Sequence, residues 1–181
     1  MLPLLFFSNF AFMSTLNNKL LNDAVSIGLC SEHTEGWNPE WSKSDLIDYY
    51  KANPDWCLEK HFPSLAFLRE HFNDEETKKK GVFVDNFVTL RATQLCYIFN
   101  NCKVGVITNS VTRLYFGLDT EARIIVEDGG DLVIDCYDKG KIDVELRGSG
   151  RLIVYKRGDY QINVTGSKNF KIRDKHGKKI M

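Results

Sequence analysis

The chain has 181 residues, enough for one ordinary domain or two small ones with a buried core. Its 43% apolar and 27% charged residues are typical of a soluble globular protein and exclude a disordered or membrane-embedded chain. The formal net charge is zero, but residues 13–81 carry 8 basic and 12 acidic side chains, whereas residues 82–181 carry 16 and 12. The basic surplus comes from the C-terminal tail, so it is a feature of a tail rather than of a face.

The first twelve residues are apolar and uncharged. They are too few to span a bilayer, which takes about 20 apolar residues, and they lack the basic start and the small-residue cleavage site of a secretory signal. We predict that Met13 is the working start, because Ser14 or Thr15 can cap the helix that follows. Residues 1–12 are then a start-site artefact or a flexible extension, with a signal or membrane anchor as the alternative.

Residues 13–81 are predicted to form a helical head of four or five short helices. In the first helix, apolar residues recur at helical spacing until Gly28, which is placed to act as a C-terminal cap. The following segment, SEHTEGWNPEW, contains a glycine, a proline and two tryptophans. It is therefore predicted to be an irregular loop that its aromatic residues anchor.

Turn and cap residues place the remaining helices of the head. Ser44 can cap the second helix, and Asn53 and Pro54 interrupt and restart it, with Asn53 as the cap and Pro54 at the first helical position. The pair Pro63 and Ser64 repeats this device. The last helix, in DEETKKK, has its acidic residues first and its lysines last, as the helix dipole favours, and ends at Gly81.

Four residues of the head are of types that bind zinc: Cys30, His33, Cys57 and His61. Their spacing is loose and their order is unusual for a zinc site. The alternative is that both cysteines pack as small apolar side chains while the histidines are exposed. We therefore predict no metal and no cofactor, and treat these four residues as weak candidates.

The five cysteines are odd in number and include no C-x-x-C pair, which argues against a disulfide framework. A reducing compartment is the simpler interpretation. We predict a cytoplasmic protein.

From Asn101 onward the sequence repeats every ten residues. When the sequence is aligned so that every tenth residue falls in one column, three columns, each two residues from the next, are apolar at 18 of 21 positions. The central column has no exception: Val104, Leu114, Ile124, Ile134, Val144, Val154, Val164. Apolar residues at alternate positions mark one face of a strand, and glycine-rich turns separate the runs. Seven short strands are predicted, and residues 82–99 are expected to add one or two less regular ones.

Two architectures fit this repeat. If each turn is a hairpin, the strands form an antiparallel meander in a sandwich or barrel; if each is a corner, two units make one coil of a parallel β-solenoid. The constant ten-residue unit favours the solenoid, whereas short links with Asp-Gly are typical of hairpins. The predicted class is α+β, with the helical head followed by this all-β domain at residues 82–165 and by a final strand and basic tail at residues 166–181.

The second face of the predicted strands is mixed. A fully solvated face rarely carries many large apolar side chains, so part of it is predicted to be covered by the head or by a second copy of the chain. The candidate interaction surface consists of Tyr115, Ile125, Val133, Ile153 and Tyr155. Unpaired end strands also invite pairing unless they are capped, and the head and the tail are the candidates for capping them.

Several segments resemble uncharacterised proteins of prophages and mobile elements of gut bacteria: LLNDAVSIGLC, DLIDYYKANPDWCLEKHFPSLAFLREHF, GVFVD and the ten-residue strands. The resemblance covers most of residues 16–173 and implies a genomic origin, in a host cytoplasm or with a virion, without catalytic residues to transfer. The repeat also resembles tracts of phage tail and polymer-forming β-solenoid proteins, an architectural analogy.

We predict a non-enzymatic structural or protein-interaction module whose partner is another protein or a second copy, with no membrane involved. A nucleic-acid-binding protein is the alternative, acting through phosphate contacts of the tail. Its candidate residues are Lys168, Lys171, Arg173, Lys175, Lys178 and Lys179. An enzyme with a site in the head is a third hypothesis, although no P-loop, Rossmann, G-x-S-x-G or H-E-x-x-H motif is present.

Overall fold

A computed structural model describes residues 4–175, with side chains from Thr15 onward. The chain divides into two compact units, one up to Leu65 and one from Ala66 on. The boundary predicted after Gly81 therefore falls within the second unit. Among the described residues, none of the helices combines the length and the apolar character needed to cross a bilayer.

The first unit is helical, and the second begins with two short helices. Six helices are found in residues 4–81, rather than the predicted four or five. They are α1 (Leu4–Ser26), α2 (Ser31–Glu35), α3 (Lys43–Ala52), α4 (Pro54–Glu59), α5 (Leu65–His71) and α6 (Glu75–Lys79). The additional helix is α2, which lies in the segment predicted to be a loop.

Helix α1 begins earlier than predicted and ends where predicted. It starts at Leu4, so the predicted cap at Ser14 or Thr15 is wrong, because those positions lie inside the helix. At its other end, Gly28 has a φ of 97° and its N–H donates to Val25 O at 3.1 Å, while the next N–H donates to Ala24 O at 3.0 Å. This pair of hydrogen bonds is the Schellman motif, and it confirms the cap at Gly28.

Helix α3 is capped by Ser42 rather than by Ser44. The Ser42 hydroxyl accepts from the Asp45 N–H at 3.2 Å, and the Asp45 carboxylate accepts from the Ser42 N–H at 2.8 Å. The acidic residue three positions after Ser42 completes a capping box, which Ser44 lacks. Pro54 is the first residue of α4, as predicted, but the Asn53 side chain makes no capping hydrogen bond and instead donates to Tyr49 O.

The aromatic residues of the predicted loop anchor it, as expected. The buried Asn17 side chain accepts from the Trp37 indole N–H at 2.5 Å and donates to the carbonyl oxygens of Asn38 and Trp41 at 3.0 and 3.3 Å. The two tryptophan rings lie 5.2 Å apart, and both lie close to the ring of Tyr49. The Asn17 amide therefore joins helix α1 to the loop, and the ring cluster joins the loop to helix α3.

The second unit continues from α5 and α6 into eleven strands between residues 82 and 174. They are β1 (Val82–Val84), β2 (Phe87–Arg91), β3 (Cys96–Asn100), β4 (Lys103–Thr108), β5 (Val111–Gly117), β6 (Asp119–Val126), β7 (Asp131–Cys136), β8 (Lys139–Leu146), β9 (Arg151–Lys156), β10 (Asp159–Gly166) and β11 (Phe170–Asp174). Residues 82–99 thus begin three strands rather than one or two, and β11 is the final strand predicted in residues 166–181.

The strands form two parallel sheets. Sheet A has the order β1-β3-β5-β7-β9-β11, and sheet B has the order β2-β4-β6-β8-β10. Consecutive strands alternate between the sheets, and every strand pair in residues 82–174 is parallel. The prediction of a β-solenoid is therefore confirmed, with about five turns, and the antiparallel meander is excluded.

The coils lengthen along the chain. Val82 pairs with Ile98, sixteen residues later, and Lys103 pairs with Glu121, eighteen residues later. From Val111 onward the spacing is twenty residues up to the last pair, in which Phe170 lies eighteen residues after its partner. The predicted ten-residue column is therefore wrong at its start, because Val104 lies beside Ala122 instead of Ile124.

The core lies between the two sheets. Alternate residues of each strand point into it, among them Leu114, Ile134 and Val154 of sheet A, and Ile124 and Val144 of sheet B. Each of these side chains is buried, and such burial contributes about 1.5–3 kcal/mol per side chain. Stacked apolar columns of this kind explain why the ten-residue pattern is visible in the sequence.

Helices α5 and α6 are attached to the first coil. The guanidinium of Arg69 in α5 donates to the carboxylate of Asp85, after β1, at 2.5 and 3.0 Å. The Gln94 side chain donates to the carbonyl of Lys79 in α6 at 2.8 Å. Both outward-facing valines of β1, Val82 and Val84, are buried. Sheet A is thus covered at its first strand.

Candidate interaction surfaces

The last coil is the most exposed part of the solenoid. All five residues of β11 are exposed, although Phe170 and Ile172 pair with the buried residues Leu152 and Val154 and share their face. Phe170 and Ile172 are 38% and 44% exposed, whereas the corresponding residues of the middle coils are buried. Within residues 4–175, no further coil covers these core-facing apolar side chains at the end of sheet A.

Among the described residues, no strand pairs with the second edge of β11, so its backbone has an open edge. The carbonyl of Asn169 accepts from Leu152, and the N–H of Lys175 donates to Lys156, so the odd-numbered residues direct their polar groups toward β9. Because successive residues of a strand alternate in direction, the N–H and C=O of Ile172 point away from β9. An open edge of this type is where an additional strand can pair.

The predicted tail residues are brought together in part. Lys171 and Arg173 lie on the outer face of β11, and the Arg173 guanidinium lies 5.7 Å from the centre of the Tyr155 ring. Lys168 precedes the strand and Lys175 follows it. Lys178 and Lys179 lie outside the described residues. Within residues 4–175, neither Lys171 nor Arg173 forms an ion pair with an acidic side chain.

The five predicted surface residues do not form one surface. Tyr115, Val133, Ile153 and Tyr155 lie on the outer face of sheet A, whereas Ile125 lies on the outer face of sheet B. Tyr115 is buried and the other four are partly exposed. The accessible part of the prediction therefore lies on the later coils of sheet A, toward β11.

A buried carboxylate on the outer face of sheet A was not recognised in the sequence. Asp135 of β7 is 0% exposed, and its carboxylate accepts from Arg113 at 2.8 Å and from Arg157 at 3.4 Å. Each guanidinium also lies over a ring, Arg113 over Tyr115 and Arg157 over Tyr137. The sequence did contain a signal of this burial, because Asp135 is in register with Tyr115 and Tyr155, the tyrosines of the two neighbouring coils. This cluster binds three coils together.

The outer face of sheet B forms a shallow groove of about 370 Å³. It lies over Gly105, which is in register with Thr89 and Arg123 on the neighbouring strands. Two ion pairs lie along it, Lys103 with Glu121 at 3.6 Å and Lys141 with Asp143 at 3.2 Å. The most exposed apolar side chain at this face is Phe87, at 86%.

The four candidate zinc residues are not assembled. The Cys30 thiol lies 2.9 Å from the His33 Nδ1 on the surface, whereas Cys57 is buried. Among residues 4–175 there is no group of three His, Cys, Asp or Glu side chains placed to hold a metal ion. His61 has a φ of 52° in the turn after α4.

The thiols differ in acidity with their surroundings. Hydrogen bonds from the backbone and then the ring of His33 lower the pKa of the exposed Cys30 thiol below its usual value. Burial raises the pKa of Cys57, and it raises the pKa of Cys102 to about 11 and that of Cys136 to about 12. The three buried thiols therefore stay protonated near neutral pH, as expected of cysteines that serve as packing residues.

Comparison with known proteins identifies no family to which this chain could be assigned. The chain matches no protein-family model, no curated protein and no solved structure.

Proposed function

We propose that this protein is a non-enzymatic structural or protein-interaction module that acts through the last coil of its solenoid. The observation that carries the proposal is the exposure of Phe170 and Ile172 at a strand edge. The same positions are buried in the preceding coils. A surface that is apolar, extended and edged by unpaired backbone groups is suited to a polypeptide partner.

The carboxylates of the stack support this proposal, because they link neighbouring coils. Asp131 pairs with Arg151 and Asp119 with Lys139, each at registered positions of neighbouring coils. Asp128 in a turn accepts two hydrogen bonds from Ser149 of the next turn, each at 2.7 Å. These carboxylates connect one coil to the next.

Nucleic-acid binding is the second candidate function. The placement of Lys171 and Arg173 on one side of an exposed strand, with Lys168 and Lys175 beside it, favours contacts with phosphates. A single-stranded oligonucleotide would then bind with an affinity that falls steeply as salt is added, and the charge reversals K171E and R173E would abolish that binding.

The cellular setting of the module is also a proposal. Its resemblance to prophage and mobile-element proteins suggests an origin in such an element and a place in the host cytoplasm or in a virion. The analogy with phage-type solenoids would give it a structural role in an assembly.

Site-specific photo-crosslinking tests the interaction role directly. A photoreactive amino acid is placed at position 172 of the full chain, in the cells that express it, and crosslinked products are identified by mass spectrometry. We expect a discrete protein adduct from position 172. Replacement of Asp143, on sheet B, is the matched control and should give much less adduct.

Two outcomes would contradict the proposed function. If position 172 gives no adduct above the control, the last coil is not a binding surface. If it gives adducts with nucleic acid alone, the second candidate function replaces the first.

A further inference from the structure

We propose that the open edge of β11 accepts an extended strand from another protein, in which apolar residues alternate with acidic ones. This inference rests on the proposed function and identifies the chemistry of the partner. It follows from the side chains that a seventh strand of sheet A, pairing with β11 on its open side, would meet.

The apolar half of the pattern comes from the inner face of β11. Phe170 and Ile172 continue the columns of Leu152 and Val154, and they are separated by one residue. A strand added beside β11 would continue these columns with its own alternate side chains, because neighbouring strands in register place their side chains on the same face. Apolar side chains there would remove Phe170 and Ile172 from water.

The acidic half comes from the outer face. Along the solenoid, opposite charges occupy registered positions on neighbouring strands: Lys103 with Glu121, Asp119 with Lys139 and Asp131 with Arg151. Lys171 and Arg173 lie on the outer face of the last coil, in register with Ile153 and Tyr155, and no acidic side chain of residues 4–175 pairs with them. Acidic residues on the added strand would continue the pattern.

A second copy of the chain fits this edge poorly. Two copies related by a two-fold axis would pair β11 with β11 in antiparallel fashion. The apolar faces of the two strands lie on the same side of the sheet only if a residue lies opposite the same residue of the copy, so the axis must pass between two equivalent residues. An axis through position 171, 172, 173 or 174 sets a lysine or arginine opposite a lysine or arginine of the copy. Like charges directly opposite each other are destabilising. The charges at this edge therefore disfavour self-pairing and favour an acidic partner.

The test uses a ten-residue peptide of alternating valine and glutamate with blocked ends, titrated into the full-length protein. Binding is followed by NMR chemical shifts and by amide exchange. We expect saturable binding that slows exchange of the Ile172 amide. A peptide with lysine in place of glutamate, and a peptide with the same composition in two blocks, should bind much more weakly.

A charge swap makes the test specific. In the double variant K171E/R173E, the acidic peptide should bind roughly tenfold more weakly, because two favourable cross-strand pairs become unfavourable. The lysine peptide should then bind the variant. The control R123E/K141E makes the same charge change on sheet B and should leave acidic-peptide binding unchanged. All four positions are at least partly exposed, so both variants are expected to fold, and circular dichroism checks this.

Four results would overturn the inference. The acidic and lysine peptides could bind equally, or protection could appear away from β11. Light scattering could instead show a dimer that I172K abolishes, which would identify a second copy as the occupant. A single-stranded oligonucleotide could bind where neither peptide does. A protein adduct from position 172 together with failure of the peptides would keep the proposed function and reject only this partner chemistry.

Discussion

At the scale of single residues, two glycines with the same backbone conformation separate strain from steric exclusion. Gly129 and Gly166 have φ values of 76° and 85°. A Cβ at Gly129 would meet nothing within 4 Å, whereas one at Gly166 would collide with the backbone of Leu146. We expect G129A to lower the free energy of unfolding by about 1 kcal/mol, the cost of a left-handed residue. G166A should cost about 1–3 kcal/mol more. Urea unfolding measures both, and equal losses would contradict the close approach of β8 and β10.

The thiols provide a second prediction at this scale. Because the pKa of Cys30 is lowered and the thiolate is the reactive form, Cys30 should react first with a thiol reagent at pH 7. Its rate should rise with pH to a midpoint below 9.0. The variant H33A, which removes the ring but keeps the backbone donor, should slow the reaction only in part.

Intact-mass spectrometry of the labelled protein counts the modified thiols. Burial raises the pKa of Cys57, Cys102 and Cys136, so these three should react only after denaturation. Fast labelling of native Cys57 would show an accessible thiolate and would revive the hypothesis of an enzyme with a site in the head.

At the scale of the elements, the cluster around Asp135 connects β5, β7 and the turn after β9. Replacing one partner of a buried ion pair leaves the other charges uncompensated. D135N should lower the free energy of unfolding by about 3 kcal/mol, with the 42% exposure of Arg113 limiting the loss. D143N, which removes a solvent-exposed partner of Lys141, is the matched control and should cost less than about 1 kcal/mol. If the two variants lose equal stability in urea, Asp135 is not a structural centre.

The sequence was informative about elements wherever a local pattern determines them. Gly28 and Pro54 were placed correctly because a helix end depends on the conformation of one residue. The ten-residue repeat was visible because each core column runs through many coils. The cap of α3 was misplaced because Ser42 and Ser44 are both suitable residues, and only the hydrogen bond of Asp45 distinguishes them.

Other features depend on contacts between distant residues and were therefore missed. The shorter first coils shift the register by two residues, so Val104 was aligned with the wrong neighbour although its burial was predicted. The burial of Asp135 depends on Arg113 and Arg157, each twenty-two residues away, so no local pattern indicates it. Of the four zinc candidates, Cys30 and His33 lie together, but no three of them are placed to hold a metal ion.

At the scale of the whole molecule, the parallel stack itself can be tested by crosslinking. Arg123 and Asp143 are registered neighbours on β6 and β8, and adjacent strands lie about 4.8 Å apart. That separation suits a disulfide, so R123C/D143C should form one on mild oxidation. The pair R123C/V133C has the ten-residue spacing and lies on different sheets, so it should not. Peptide mapping distinguishes the two, and the opposite pattern would favour a meander.

The most direct test of the account is amide exchange, followed by NMR, along sheet A of the full chain in dilute solution. We predict slow exchange at Ile134, in the middle of the stack. Exchange should be intermediate at Lys171 and Arg173, whose N–H groups face β9, and fast at Ile172, whose N–H faces the open edge. If Ile172 is instead as protected as Ile134, the last coil is already covered in the isolated protein, and the proposal that it binds a partner is wrong.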